Sequence, residues 1–134
     1  MIDIEPQVFS QVAARLRRDF KGIYVTGEYV RTPPSFPAVS IIEMDNAALR
    51  RTQTSSEGEN HSAIMYEVNI YSNRSAGRKS ECRKIAATID DEMTLMGFNR
   101  IMLEPIPNLA DSAIYRAASR YTAVVSKQDI IFRR

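Results

Sequence analysis

The sequence predicts an α+β fold, with two main helices packed on one face of a mixed or antiparallel sheet in a single domain. Three observations carry that expectation. Two stretches place apolar residues at helical steps, the segments around them are rich in Val, Ile, Tyr and Thr, and no internal repeat divides the chain. With 134 residues, 44% hydrophobic and 25% charged, the chain has the texture of one globule that buries roughly two thirds of its unfolded surface.

Pro6 opens a segment in which Val8 or Phe9, Val12, Ala13, Leu16 and Phe20 recur at three- and four-residue steps, and Gly22 ends it. Proline fits the first turn of a helix and glycine its C-terminal cap, so a helix is expected over about residues 6–21. Arg15, Arg17, Arg18 and Lys21 fall on its outer face. Ile23 to Val30 has a β-type composition, broken by the turn Thr32-Pro33-Pro34-Ser35. Phe36 to Ala47 alternates loosely, with Val39, Ile41, Ile42 and Met44 placing apolar groups on both faces, as in a strand covered on both sides. Pro37 belongs at its start or on an edge, because it lacks the N–H of a central ladder.

Leu49 to Ser62 is polar, has no period and reads as a long loop, longer than a hairpin needs merely to turn. The next strand is the clearest, with Ile64, Tyr66, Val68 and Ile70 on one face and Met65, Glu67 and Asn69 on the other. Ser75 or Ser80 is placed to cap a second helix whose stripe is Cys82, Ile85, Ala86, Ile89, Met93 and Met96, and Gly97 closes it. Phe98 to Glu104 is strand-like until Pro105 and Pro107 stop it. Ile114 to Val125 is a long strand with Tyr115, Ala117, Ser119, Tyr121, Ala123 and Val125 on one face and Arg116 and Arg120 on the other. Ile130 to Phe132 adds a short last one.

Several function classes are set aside by composition. One cysteine, Cys82, allows no internal disulfide, and one histidine, His61, allows no Cys/His metal site. The longest uncharged run, Thr32 to Ile42, holds three prolines, so no segment is expected to span a bilayer. Asp3 and Glu5 near the start argue against a secretory signal, and cytosolic synthesis is the expectation. The basic residues are 14 Arg against 4 Lys, balanced by 16 acids to a net +2. Arginine forks pair bidentately with carboxylate or phosphate, so this bias points to interfaces, whereas a nucleic-acid binder is expected to be strongly basic overall.

Each candidate chemical motif has a plainer reading. Asn73-Arg-Ser-Ala-Gly-Arg-Lys-Ser80 stands where a phosphate loop would, but Asn73 replaces the first glycine and Arg78 separates Gly77 from Lys79, so it reads as a basic helix start. Arg74, Arg78 and Lys79 there oppose the helix dipole, which makes the corner a candidate for an anion or an acidic partner against a solvated basic turn. Asp90-Asp91-Glu92 diverge around a helix and read as a solvated face. Glu43, Asp45 and Glu67 lack the lysine of a metal-dependent nuclease, since Asn69 holds that position. Cys82 lies on an apolar stripe and reads as core, and Tyr66, Tyr71, Tyr115 and Tyr121 read as cross-strand pairs before they read as a nucleic-acid surface.

The order of these parts resembles a family. An N-terminal amphipathic helix, a strand pair joined by the Leu49 to Ser62 loop, the strand Ala63-Ile-Met-Tyr-Glu-Val-Asn-Ile-Tyr71 and the stripe Cys82 to Met96 come first. The turn-rich Glu104-Pro-Ile-Pro-Asn-Leu-Ala-Asp111 and the closing strand Ile114 to Val125 follow. Over nearly the whole chain this is similar to the tail terminator (tail completion, tail-to-head joining) proteins of long-tailed bacteriophages.

The resemblance implies a non-enzymatic virion protein without cofactor or metal, assembled in the host cytoplasm into a ring, hexameric in the family, at the head-proximal end of the tail. Its implied partners are copies of itself, the tail tube protein and a head-completion or connector protein, with DNA only as passing cargo and no membrane. Candidate interface residues are Arg50, Arg51, Glu57 and Glu59 in the loop, which is expected to order against the tube or a neighbour, and Arg74, Arg78, Lys79, Arg116 and Arg120. Charge is segregated, with five basic residues and one acidic between Arg74 and Lys84 and again between Ala113 and Arg134, and three acids at Asp90 to Glu92. Opposed patches suit copies that bind each other. A head-completion role in the phage neck, or a small nucleic-acid-binding domain using Arg74, Arg78, Arg116 and Arg120, are the alternatives.

Overall fold

Apolar spacing sets the two helices, and backbone geometry ends them. The structure is a computed structural model that describes residues 1–49, 61–107, 111–126 and 131–132. Helix α1 spans Glu5–Asp19, with Pro6 in its first turn and Val8, Val12, Ala13 and Leu16 buried. Helix α2 spans Arg78–Leu95 and buries Cys82, Ile85, Ala86, Ile89 and Met93 as its stripe requires. Gly97, at φ +99°, turns the chain out of α2. A Cβ there would stand 3.0 Å from Ile131 Cγ2, so φ and space both select glycine. Neither Ser75 nor Ser80 caps α2. The N-cap is Gly77 at φ +80°, with no side-chain cap bond.

The strands are β1 (Tyr24–Thr26), β2 (Ala38–Ala48), β3 (His61–Ser72), β4 (Asn99–Ile106), β5 (Tyr115–Ser126) and β6 (Ile131–Phe132). They form a mixed sheet in the order β1-β2-β3-β5-β4, with β6 paired to β5. Among the described residues only β1 and β2 run parallel. The opposite side of β5 is taken by β3 along its whole length. β6, bonded at Val124 and Val125, therefore extends the edge that β4 occupies between Arg116 and Thr122.

Both helices lie on one face. Val39, Ile41, Ile64, Tyr66, Val68, Ile70, Tyr121, Ala123 and Val125 meet the stripes of α1 and α2 there. Residues of the opposite parity point to a face that carries no helix among the described residues, and a smaller cluster of Ala38, Tyr71 and Ile114 covers one end of it with Tyr24, Val30 and Phe36. The expected α+β architecture is observed.

Three boundaries differ from expectation for identifiable reasons. β1 stops at Thr26 because the Glu28 N–H bonds Thr26 Oγ1 at 3.2 Å and turns the chain. Val30 then packs on the second cluster instead of extending the strand. His61 and Ser62, expected in the loop, begin β3 opposite Ser126 and Val125. Pro105 does not end β4. It pairs in register with Ala117, which an edge strand permits because one side of its backbone has no ladder to serve. Residues 50–60, with Arg50, Arg51, Glu57 and Glu59, lie outside the described residues, as does Ile130.

Candidate functional site

Alternation along β3 and β5 builds the first candidate surface, on the helix-free face. Glu67 and Arg120 are register partners. Arg120 Nε and Nη2 reach Glu67 Oε1 at 3.1 and 3.0 Å. One step along, Asn69 is fully buried. Its Oδ1 accepts both Arg116 Nε at 3.0 Å and Arg116 Nη2 at 2.7 Å, while its Nδ2 donates to Glu67 Oε2 at 3.4 Å. The Arg116 guanidinium also lies 5.7 Å from the centre of the Tyr71 ring. The result is one row, Arg120–Glu67–Asn69–Arg116–Tyr71, in which an amide accepts from a cation on one side and donates to a carboxylate on the other. That explains the asparagine where a nuclease needs lysine. Half-buried Ile42, Met65, Met102, Ile106 and Val124 share this face.

The second candidate is the basic corner. Arg74 is 62% exposed and pairs loosely with Glu81 at 3.6 Å. Arg78 and Lys79 occupy the first turn of α2 as expected, and Arg83 and Lys84 add exposed charge one turn on. Thus the four arginines nominated for nucleic acid do not form one surface. Arg78 belongs to the helix layer, while Arg116 and Arg120 stand on the opposite side of the sheet and are held by Asn69 and Glu67.

Two carboxylates read as solvated are not. Glu92 is buried between the helices, where Arg15 Nη1 donates to its Oε1 at 2.8 Å and Gln11 Nε2 to its Oε2 at 3.0 Å. Arg15 therefore sits in the helix–helix seam and not on an outer face. Asp90 Oδ1 accepts the Tyr121 hydroxyl at 3.0 Å and lies 3.7 Å from Arg100 Nη1. The bond from Gln11, then that from Arg15, holds the Glu92 carboxyl below its ordinary range. Its stabilising contribution is present above the ordinary carboxylate value and is lost as pH falls through the lowered one. Glu92→Gln is expected to cost about 1 kcal/mol at neutral pH. Urea unfolding should show that gap closing only in acid below the ordinary carboxylate range, as wild-type Glu92 becomes protonated too.

A third feature escaped the sequence reading. The first turn of α1 and the end of β1 enclose a groove of ≈ 500 Å³, floored by Phe9 and Val25 and rimmed by Asp3, Glu5 and Glu28. Glu43 on β2 lies close by. Burial, then the Glu5 and Asp3 charges, pushes its carboxyl above the usual range. For such a group the folded state gains below the unfolded pKa and loses as pH rises through the folded one. Glu43→Gln is accordingly expected to raise stability at neutral pH by up to about 0.5 kcal/mol, the size that solvent screening leaves. A thermal melt at pH 3 should show no gain. Only folding brings residues 3, 5, 28 and 43 together, so no spacing rule reveals them.

Cys82 is buried, with Sγ 3.9 Å from the Ile70 carbonyl and 3.8 Å from that of Tyr115. Burial pushes its thiol up to about 12, which keeps it protonated as a core group. Among the described residues no group of three or more His, Cys, Asp or Glu is placed to hold a metal ion, and no helix is long and apolar enough to cross a membrane. Compared with known proteins, the chain matches no family model and no curated protein sequence.

Proposed function

We propose that this chain is a non-enzymatic structural subunit of the phage tail terminator type. It forms a ring, hexameric by that resemblance, at the head-proximal end of the tail tube, stops tube elongation and joins tail to head. The observation that carries the reading is the helix-free sheet face. Its charged groups are satisfied by one another in the Arg120–Glu67–Asn69–Arg116 row, and half-buried apolar side chains surround them. Prepaired charges with adjacent apolar area make a surface suited to a protein partner, because little further desolvation is required of ions already engaged. In this reading the partners are other copies, the tube protein and the head-completion protein, and DNA passes only as cargo.

The test is deletion of the gene from the phage or prophage that carries it, with electron microscopy of the lysate. Overlong or unjoined tails are the expected result. Empty heads without necks would move the protein to the head-completion layer, and normal virions would remove both roles.

A further inference from the structure

We infer that copies of this chain dock end to end, the basic first turns of α2 on one copy meeting the acidic groove at the start of α1 on the next. The inference rests on the ring reading above and names the two faces that meet. α1 and α2 are antiparallel, since Gln11 and Arg15 meet Glu92 while Phe20 lines a cleft with Gly77 and Ser80. The acidic groove and the basic corner therefore lie at opposite ends of α1, about 22 Å apart for fifteen residues.

Neither end is neutralised within the subunit. Among the described residues no ion pair reaches Asp3, Glu5 or Glu28, and none reaches Lys79, Arg83 or Lys84. Gly77 supplies no side-chain cap, so the first-turn N–H groups that lack an intrahelical partner receive none from it, beside cations that the helix dipole disfavours. A carboxylate arriving from another molecule would satisfy both the donors and the cations.

The groove offers the complement, with carboxylates at the rim and Phe9 and Val25 on its floor. The aliphatic stems of lysine and arginine can cover that apolar floor while their heads meet the rim. Because the two surfaces differ, the contact is head to tail, the type that generates a ring when the rotation closes.

The experiment measures self-association of the full chain by sedimentation velocity, with zero-length carbodiimide cross-linking of mixed light and heavy-isotope protein. Wild type is expected to associate at low ionic strength, to weaken as salt rises, and to give cross-links from Lys79 or Lys84 to Glu5 or Glu28 between molecules. Glu28→Lys, a site whose carboxylate makes no ion pair among the described residues, and Lys79→Glu/Arg83→Glu should each raise the dissociation constant at least about tenfold. Mixing the two variants should restore association, because the reversed groove then faces the reversed corner; this also shows that both variants fold. An oligomer indifferent to both reversals, or a wild type that stays monomeric, overturns this contact. The ring reading fails separately, if deletion of the gene leaves normal virions.

Discussion

Tyr66→Ala is expected to cost about 3–5 kcal/mol of folding stability, while Tyr66→Phe should change it by less than about 1 kcal/mol. Tyr66 is fully buried at the centre of β3, directly opposite Tyr121, and its ring meets Phe98 edge-on at 5.5 Å and 85°. Alanine would lose that aromatic contact and open a cavity where α2 meets the sheet, next to a strand bonded on both sides. The hydroxyl, by contrast, approaches Glu43 Oε1 only at 3.5 Å, a weak bond to a carboxylate that is itself poorly solvated. Against a total of about 5–15 kcal/mol for a domain, the alanine variant gives up a large share of its stability. Denaturant midpoints of the two variants decide the matter, and equal losses would show that the hydroxyl, not the ring, carries the position.

Asn69→Ala comes second, at about 1.5–3 kcal/mol, the range for a hydrogen bond to a charged group whose partner is partly stranded. Arg116 loses both bonds to Oδ1, and Glu67 loses a donor. Asn69→Asp separates the two halves of the row. It keeps an acceptor for Arg116 but sets a carboxylate against Glu67, so its deficit should shrink as acid protonates one of the pair. An Asp variant as stable as wild type at neutral pH would mean that the bond to Glu67 contributes nothing.

Much of this architecture is readable in the chain because burial imposes periods. The stripe of α2 and the alternation of β3 and β5 depend on which side of an element faces the core, and that choice is written at spacings of three to four or of two. The side on which Arg116 and Arg120 project was legible for the same reason. Their partners were not, since Asn69 lies 47 residues from Arg116 and Glu67 lies 53 from Arg120. Glu92 shows the limit most plainly. Of three consecutive acids it alone is buried, and what holds it is Arg15 and Gln11, 77 and 81 residues away on another helix. The continuation of β4 through Pro105 is not legible locally, because being an edge strand is a property of the assembled sheet and not of the strand.

The two exposed margins of that sheet bear on how the protein behaves in a crowd. β2 carries a register shift between Glu43 and Asp45, with Met44 48% exposed, and beyond Ser40 its outer side has no strand partner among the described residues. At the far margin β4 shifts between Arg100 and Met102 and places Pro105 in the ladder. Irregular margins make poor templates for open-ended strand addition. Growth by backbone pairing, the route to fibres, is thereby hindered at both sides, and association is left to side chains. Concentrated solutions should therefore yield discrete species that salt can dissolve, with no slow build-up of thioflavin-positive material.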